Sequence, residues 1–339
     1  MKILINYYHP ICADLAFSLC KLGHDVDVCF LTTKTDHYGN WKEMPKNVSE
    51  QYRDIFAAAS VKFNCISHQQ AMVLLKSKRY NLLGCDGVTD GDGELMQIAD
   101  SARIPYFNIN GYPYQADEKA KNILCFSWFL PQIQYLQTYQ GENGVKNIDW
   151  KNIAENGRSS GKNILVFYPE TALVKHIRDS LAPVPTVDKK GFVSFVQLYE
   201  KYNRFNYAAF VRLQSTCNDT LENFGGLSQM EVRKLMNSAK ATVHLKHADC
   251  PPTAVLEGML FGLVPHVMTS FIKASANQDL LIDGHSCIAC DSIDEMSKNL
   301  NENNWKNLTD STRQHAEMLT SLDRQKNKLQ KFLSDCLEQ

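Results

Sequence analysis

The first thirty residues constrain the fold more than any other stretch. "KILINYY" (2–8) is a short β-rich apolar run. "ADLAFSLCKLG" (13–23) has helical spacing and stops on Gly23, and "HDVDVCFL" (24–31) is a second strand. Strand, helix and strand with such short connections imply a parallel pair joined by a right-handed crossover. The pattern resumes with a strand at "RYNLLGC" (79–85), a helix at "ELMQIADSA" (94–102) and strands at "IPYFNIN" (104–110) and "NILCFSW" (122–128). A buried parallel sheet with helices on its faces fits this order.

Residues 141–162, "GENGVKNIDWKNIAENGRSSGK", are rich in Gly, Asn and Ser and read as a linker region. A second α/β series follows. It opens with a strand at "NILVFYP" (163–169), a helix at "GFVSFVQLYEKY" (191–202) and a strand at "YAAFVRL" (207–213). A helix at "SQMEVRKLMNSA" (228–239), a strand at "TVHLKH" (242–247), a helix at "AVLEGMLFG" (254–262) and a strand at "VPHVMTS" (264–270) complete it. Ser228 with Glu231, and Ser292 with Glu295, have capping-box spacing. The expectation is an α/β chain of two Rossmann-like domains facing across a cleft, 1–150 and 151–320, with a C-terminal helix over 321–339.

Charge narrows the partners. The formal net charge of −1 gives no global reason to bind a nucleic-acid polyanion, so that partner stays possible but is not favoured. No apolar run approaches the roughly 20 residues that span a bilayer. The strand-like N-terminus lacks the form of a leader, so the expected localisation is cytoplasmic, with peripheral membrane association left open. The eleven cysteines then read as reduced thiols. Cys287 and Cys290 form C-x-x-C without a second ligand pair, so no metal site is expected there. Asp90 and Asp92 form a D-x-D, read first as acids that complement a helix start.

"HADCPPTAVLEGMLFGLVP" (247–265) carries the strongest site signal. Asp249 and Glu257 lie eight residues apart, on either side of a proline loop that leads from a strand end into a helix. Parallel sheets bind ligands at that end, and unpaired N–H groups at a helix start suit a phosphate or a sugar hydroxyl. A carboxylate one turn into the helix can accept two hydrogen bonds from a diol.

Residues 222–300 resemble the nucleotide-binding domain of retaining family-4 glycosyltransferases, which have the GT-B fold. The resemblance rests on the glycine turn of "NFGGLSQ", the acid-x7-acid spacing across the proline loop, the Gly-x-x-Pro of "GLVP", and "LLIDGHSCIACDSIDEMSKNL". It implies that Glu257 binds the donor ribose and Asp249 the donor sugar. Cys250, Pro251, Pro252 and Thr253 would form the loop around sugar and phosphate, with His247 and Gly226 beside the donor. Lys190, in "KKGF", resembles the family's phosphate-binding lysine at a helix start. The family's arginine five residues earlier is replaced by Pro185, so Arg178 or Arg212 would have to supply its charge. Asn110 and Gly111 stand where many relatives place a histidine that faces the reacting sugar.

The resemblance makes the N-terminal domain the acceptor side. It implies retaining, metal-independent sugar transfer from a nucleotide-sugar co-substrate, without a further cofactor, to a glycan, lipid-linked sugar or small-molecule hydroxyl. A nucleotide- or glycan-binding protein without catalysis, a phage-type DNA-modifying glycosyltransferase, and a GT-B epimerase or hydrolase are the alternatives. An NAD-dependent enzyme is disfavoured because no G-x-G-x-x-G follows the first strand.

Overall fold

The computed structural model describes residues 1–6, 11–29, 63–85, 90–110, 121–125, 163–195, 206–223, 227, 229–246, 253–274 and 279–338. They form two compact units. The first takes its described residues from within Met1–Thr138, Asp149–Leu173 and Ser321–Gln339, and the second from within Val174–Thr320.

The first unit holds seven strands: β1 (Lys2–Asn6), β2 (Asp25–Cys29), β3 (Phe63–Ile66), β4 (Leu82–Cys85), β5 (Tyr106–Asn110), β6 (Asn122–Cys125) and β7 (Asn163–Val166). Their order is β3-β2-β1-β4-β5-β6-β7, and every adjacent pair is parallel. This is the doubly wound arrangement, reversing direction between β1 and β4. Leu4, Cys29, Leu83 and Cys85 pack beneath the helices His68–Lys76 and Asp90–Ala102. Ser67 caps the first of these, its Oγ accepting from Gln70 N while its own N–H donates to Gln70 Oε1. The buried carboxylate of Asp27 is satisfied by Tyr80 Oη at 2.6 Å and Asn64 Nδ2 at 2.9 Å, with Lys2 Nζ at 3.3 Å.

β7 corrects the expected boundary. "NILVFYP" opens the second domain in the sequence reading, yet Asn163–Val166 pairs with β6 and is the last strand of the first sheet. The C-terminal helix, Leu322–Leu337, belongs to the same unit. Phe332 meets Phe107 edge-on at 5.5 Å, its carbonyl accepts from Asn163 Nδ2, and Gln325 bonds both backbone polar groups of Tyr168.

The second unit has five strands: β8 (Phe192–Ser194), β9 (Leu221–Asn223), β10 (Ala241–His244), β11 (Val264–Met268) and β12 (Ile288–Cys290). They run parallel in the order β12-β11-β10-β8-β9. The order turns back between β8 and β10, a second topological switch point. Two expected elements exchange identities here. "GFVSFV" supplies strand β8, and "YAAFVRL" lies in the helix Tyr207–Thr216, capped by Asn206 Oδ1 accepting from Ala209 N. Apolar runs this short fit either period, and only the pairing decides.

Alternation along β10 separates the two faces. Ala241 and Val243 join Phe210, Leu213, Met296, Leu300 and Trp305 in one core, so the helices Tyr207–Thr216 and Ile293–Asn301 cover that face. Thr242 faces the helix Thr253–Leu260 near Gly258 on the other. The start at Ser292 is as expected, its Oγ accepting from Glu295 N, although the Glu295 carboxylate turns to Asp291 N.

His266, in the middle of β11, has no solvent exposure, and burial lowers its ring to about 4 from 6.5. The folded unit therefore keeps the ring neutral where the unfolded chain takes up a proton. This contribution is complete above pH 6.5 and is lost as pH falls toward 4, at a cost of about 3 kcal/mol. Urea unfolding at pH 7.0 and 4.5 should show that loss, and His266→Leu should remove most of the slope.

Candidate functional site

In an open parallel sheet the ligand end lies beyond the carboxyl ends of the strands at the switch point. In the second unit this places the site after Ser194 of β8 and His244 of β10. His247, Asp249, Cys250, Pro251 and Pro252 follow β10 directly in sequence, and Gly226 precedes the helix Gln229–Ser238; all six lie outside the described residues. Thr253 is the first residue of the helix Thr253–Leu260, and Glu257 stands one turn into it. His244 packs its ring edge-on against Phe271 at 4.8 Å. The side chain of Ser194 is fully buried at the end of β8, and its Oγ has no hydrogen-bond partner among the described residues.

Glu257 Oε2 lies 2.9 Å from Nη2 of Arg233, on the neighbouring helix Gln229–Ser238. The arginine side chain is 3% exposed and the glutamate 18%. Burial pushes the Glu257 carboxyl above its ordinary range, and the adjacent guanidinium draws it back. Arg233 was not among the residues expected from sequence. Its signal there is slight: it sits three residues before the buried Met236, on the inward stripe of an otherwise polar helix.

The structure does not bring Lys190 to this end of the sheet. It precedes β8, its backbone N–H donates to Ser238 O, and its side chain is exposed. A strand rise of about 3.3 Å per residue leaves it about 13 Å short of the carboxyl end. The glycine after it has a different purpose from a phosphate turn: Gly191 has φ +67°, and a Cβ there would meet Thr220 Oγ1 at 2.7 Å. Its neighbour Lys189 is the buried one, its ammonium lowered by burial and by Arg313. Lys190→Ala should therefore leave nucleotide affinity within twofold of wild type, measured by calorimetric titration.

Neither arginine offered as a substitute for the missing one reaches Glu257. Arg212 lies on the opposite face of the sheet, with Nη2 at 2.6 and 2.7 Å from the two carboxylate oxygens of Asp294. Arg178 bonds Glu317 at 2.8 Å, Asp179 at 2.9 Å and Leu260 O at 3.2 Å. In the first unit, Asn110 ends β5, paired in register with Cys125. Two positions inward from it, Asn108 is fully buried, and neither of its amide atoms has a hydrogen-bond partner among the described residues. Asn6 Oδ1, at the end of β1, is likewise buried without one. Both residues register against Cys85 of β4, so they flank one strand end on the same face.

Asp90 begins the helix Asp90–Ala102. No group of three or more His, Cys, Asp or Glu side chains that could hold a metal occurs among the described residues. Burial raises the Cys287 and Cys290 thiols to about 12 and 11, which makes both poor thiolate donors at neutral pH. No helix among the described residues is long and apolar enough to cross a membrane.

No family model and no curated protein matches the sequence. Solved structures match the fold over almost the whole chain. Anabaena HepE in complex with UDP-glucose aligns over 99% of this chain and 100% of its own, with a TM-score of 0.62 at 11% identity. The lipopolysaccharide outer core galactosyltransferase WaaB covers 99% and 100%, with a TM-score of 0.56 at 13% identity. A Listeria monocytogenes protein assigned as a UDP-N-acetylglucosamine 2-epimerase covers 94% and 90%, with a TM-score of 0.54 at 10% identity. The fold is GT-B. Glycosyltransferases and an epimerase share it, so the fold by itself does not choose between transfer and epimerisation.

Proposed function

We propose that the chain is a glycosyltransferase that moves a sugar from a nucleotide-sugar donor to an acceptor hydroxyl. The observation that carries this reading is Glu257, a largely buried carboxylate one turn into the helix that follows the switch-point strand β10. Its free oxygen suits the paired hydroxyls of a ribose, and the N–H groups at the helix start suit the diphosphate. Asp249 is assigned to the donor sugar by its place in the sequence between that strand and helix. Bond cleavage at the anomeric carbon leaves positive charge on the sugar and negative charge on the departing phosphate oxygen, and fixed dipoles stabilise the latter.

Lys190, which precedes β8, is not assigned to assisting departure. Retention of anomeric configuration and independence from metal belong to this reading. The acceptor is a glycan, a lipid-linked sugar or a small molecule, bound through the first unit. The net charge of −1 argues against nucleic acid.

The test is incubation with UDP-glucose and UDP-N-acetylglucosamine, with and without EDTA, followed by proton NMR of the anomeric signals. Transfer or slow release of the sugar with its configuration kept, undiminished by EDTA, supports the proposal. An inverted product or loss of turnover in EDTA overturns retention or metal independence respectively. The second reading is epimerisation, favoured by the Listeria neighbour. Conversion of UDP-N-acetylglucosamine to its C2 epimer would replace transfer by that reaction.

A further inference from the structure

Arg233 and Glu257 come from different helices, and neither is explained by packing alone. An ionised glutamate has two acceptor oxygens, and a single contact with an arginine engages one of them. Here Oε2 takes Nη2 of Arg233 at 2.9 Å, and Oε1 makes no hydrogen bond among the described residues. We infer that Arg233 is a positioning residue, holding Glu257 as a carboxylate with one oxygen turned to the ligand end of the sheet. This rests on the nucleotide-sugar reading above and adds what keeps the ribose contact charged at neutral pH.

The surroundings leave Arg233 to do this. From β10, Thr242 packs near Gly258, and His244 lies edge-on to Phe271. From β11, His266 is buried and neutral. The helix Thr309–Leu319 packs alongside, but its Glu317 is engaged by Arg178, and its His315 Nε2 lies 2.8 Å from Asp279 O. Among the described residues Arg233 is the charged group acting on Glu257, and it opposes the burial that favours the neutral acid.

Loss of Arg233 would leave burial to favour the neutral acid, and a protonated carboxyl turns one of its two acceptor oxygens into a donor, so it no longer accepts from both hydroxyls of a diol. The experiment is calorimetric titration of UDP into the full chain from pH 6 to 9, for wild type, Arg233→Lys, Arg233→Met and the double variant Glu257→Gln with Arg233→Met. Wild-type affinity should be nearly flat with pH. Arg233→Met should lose about tenfold or more at pH 7 and recover as pH rises. Arg233→Lys should restore most of the affinity at pH 7. The double variant removes both charges together, so it should regain thermal stability without regaining UDP affinity.

Equal affinity loss at every pH in Arg233→Met would overturn the inference, leaving Arg233 as scaffold. So would full UDP affinity in the double variant. Absence of UDP binding by wild type overturns the nucleotide-sugar reading first, and the inference with it.

Discussion

Gly84→Val is expected to prevent the first unit from folding. Gly84 is the third residue of the central strand β4, paired with Ile5 on one side and Phe107 on the other. A Cβ added there would lie 2.5 and 2.8 Å from ring atoms of Phe107 and 2.9 Å from Ile5 Cδ1. Both side chains are fully buried, and Phe107 is itself held by Phe332 of the C-terminal helix, so neither can swing aside. Overpacking a core typically costs 1–3 kcal/mol, and a branched side chain against a fixed ring belongs at or beyond about 3 kcal/mol. Against a total stability of order 5–15 kcal/mol, that leaves little. Gly84→Ala should survive with a lowered midpoint in urea, while Gly84→Val should give insoluble or protease-sensitive protein. A soluble valine variant with wild-type stability would show that the strand can move away from Phe107.

Glu257→Ala carries the second large effect, and it acts on binding as well as on the fold. The substitution removes the ribose acceptor and takes a carboxylate partner from Arg233, whose side chain is 3% exposed. Removing one partner of a buried ion pair destabilises by about 3–5 kcal/mol. Hydrogen bonds to a charged group contribute about 1.5–3 kcal/mol each, so UDP affinity should fall about a hundredfold. The two effects separate experimentally. Urea unfolding without nucleotide reports the first, and titration well below the melting temperature reports the second. Glu257→Gln, which keeps shape and an acceptor oxygen, should recover stability more fully than affinity. Unchanged UDP affinity in a folded Glu257→Ala protein would remove the carboxylate from the site.

Much of the architecture was legible because parallel α/β units repeat a simple rhythm. The strand–helix–strand opening, the central strands β4 and β5, and the run from β10 through the helix Thr253–Leu260 into β11 all stand where apolar spacing and glycine stops place them. "GFVSFVQLYEKY" misled because its apolar residues satisfy both a two-residue and a 3.6-residue period, and a strand of three residues cannot override that ambiguity. The consequence reached the site. Read as a helix start, "KKG" placed Lys190 at the phosphate; read correctly, it enters a strand from the opposite end. Glu257 was visible through its position after a proline loop. Arg233 was not, because an arginine in "QMEVRKLMNS" reads as surface until a second helix buries it. Strand β7 gave no local hint of its sheet, since "NILV" pairs equally well with either domain and only its register with Asn122–Cys125 decides.

The helix Leu322–Leu337 imposes an order of assembly on the chain. Its docking surface, which includes Phe107, Asn163 and Tyr168, is synthesised before Val174–Thr320, whereas the helix itself follows that segment. During translation the second unit, Val174–Thr320, is complete before the first can close. Until the last turns emerge, the nascent first sheet carries apolar surface with no cover, the state in which partly made domains recruit chaperones or aggregate. Contacts such as Asn163 with Phe332 span 169 residues, and long-range closure of this kind is slow. A ribosome-bound chain arrested before residue 321 should accordingly show a protease-resistant second unit beside a first unit that is still cleavable.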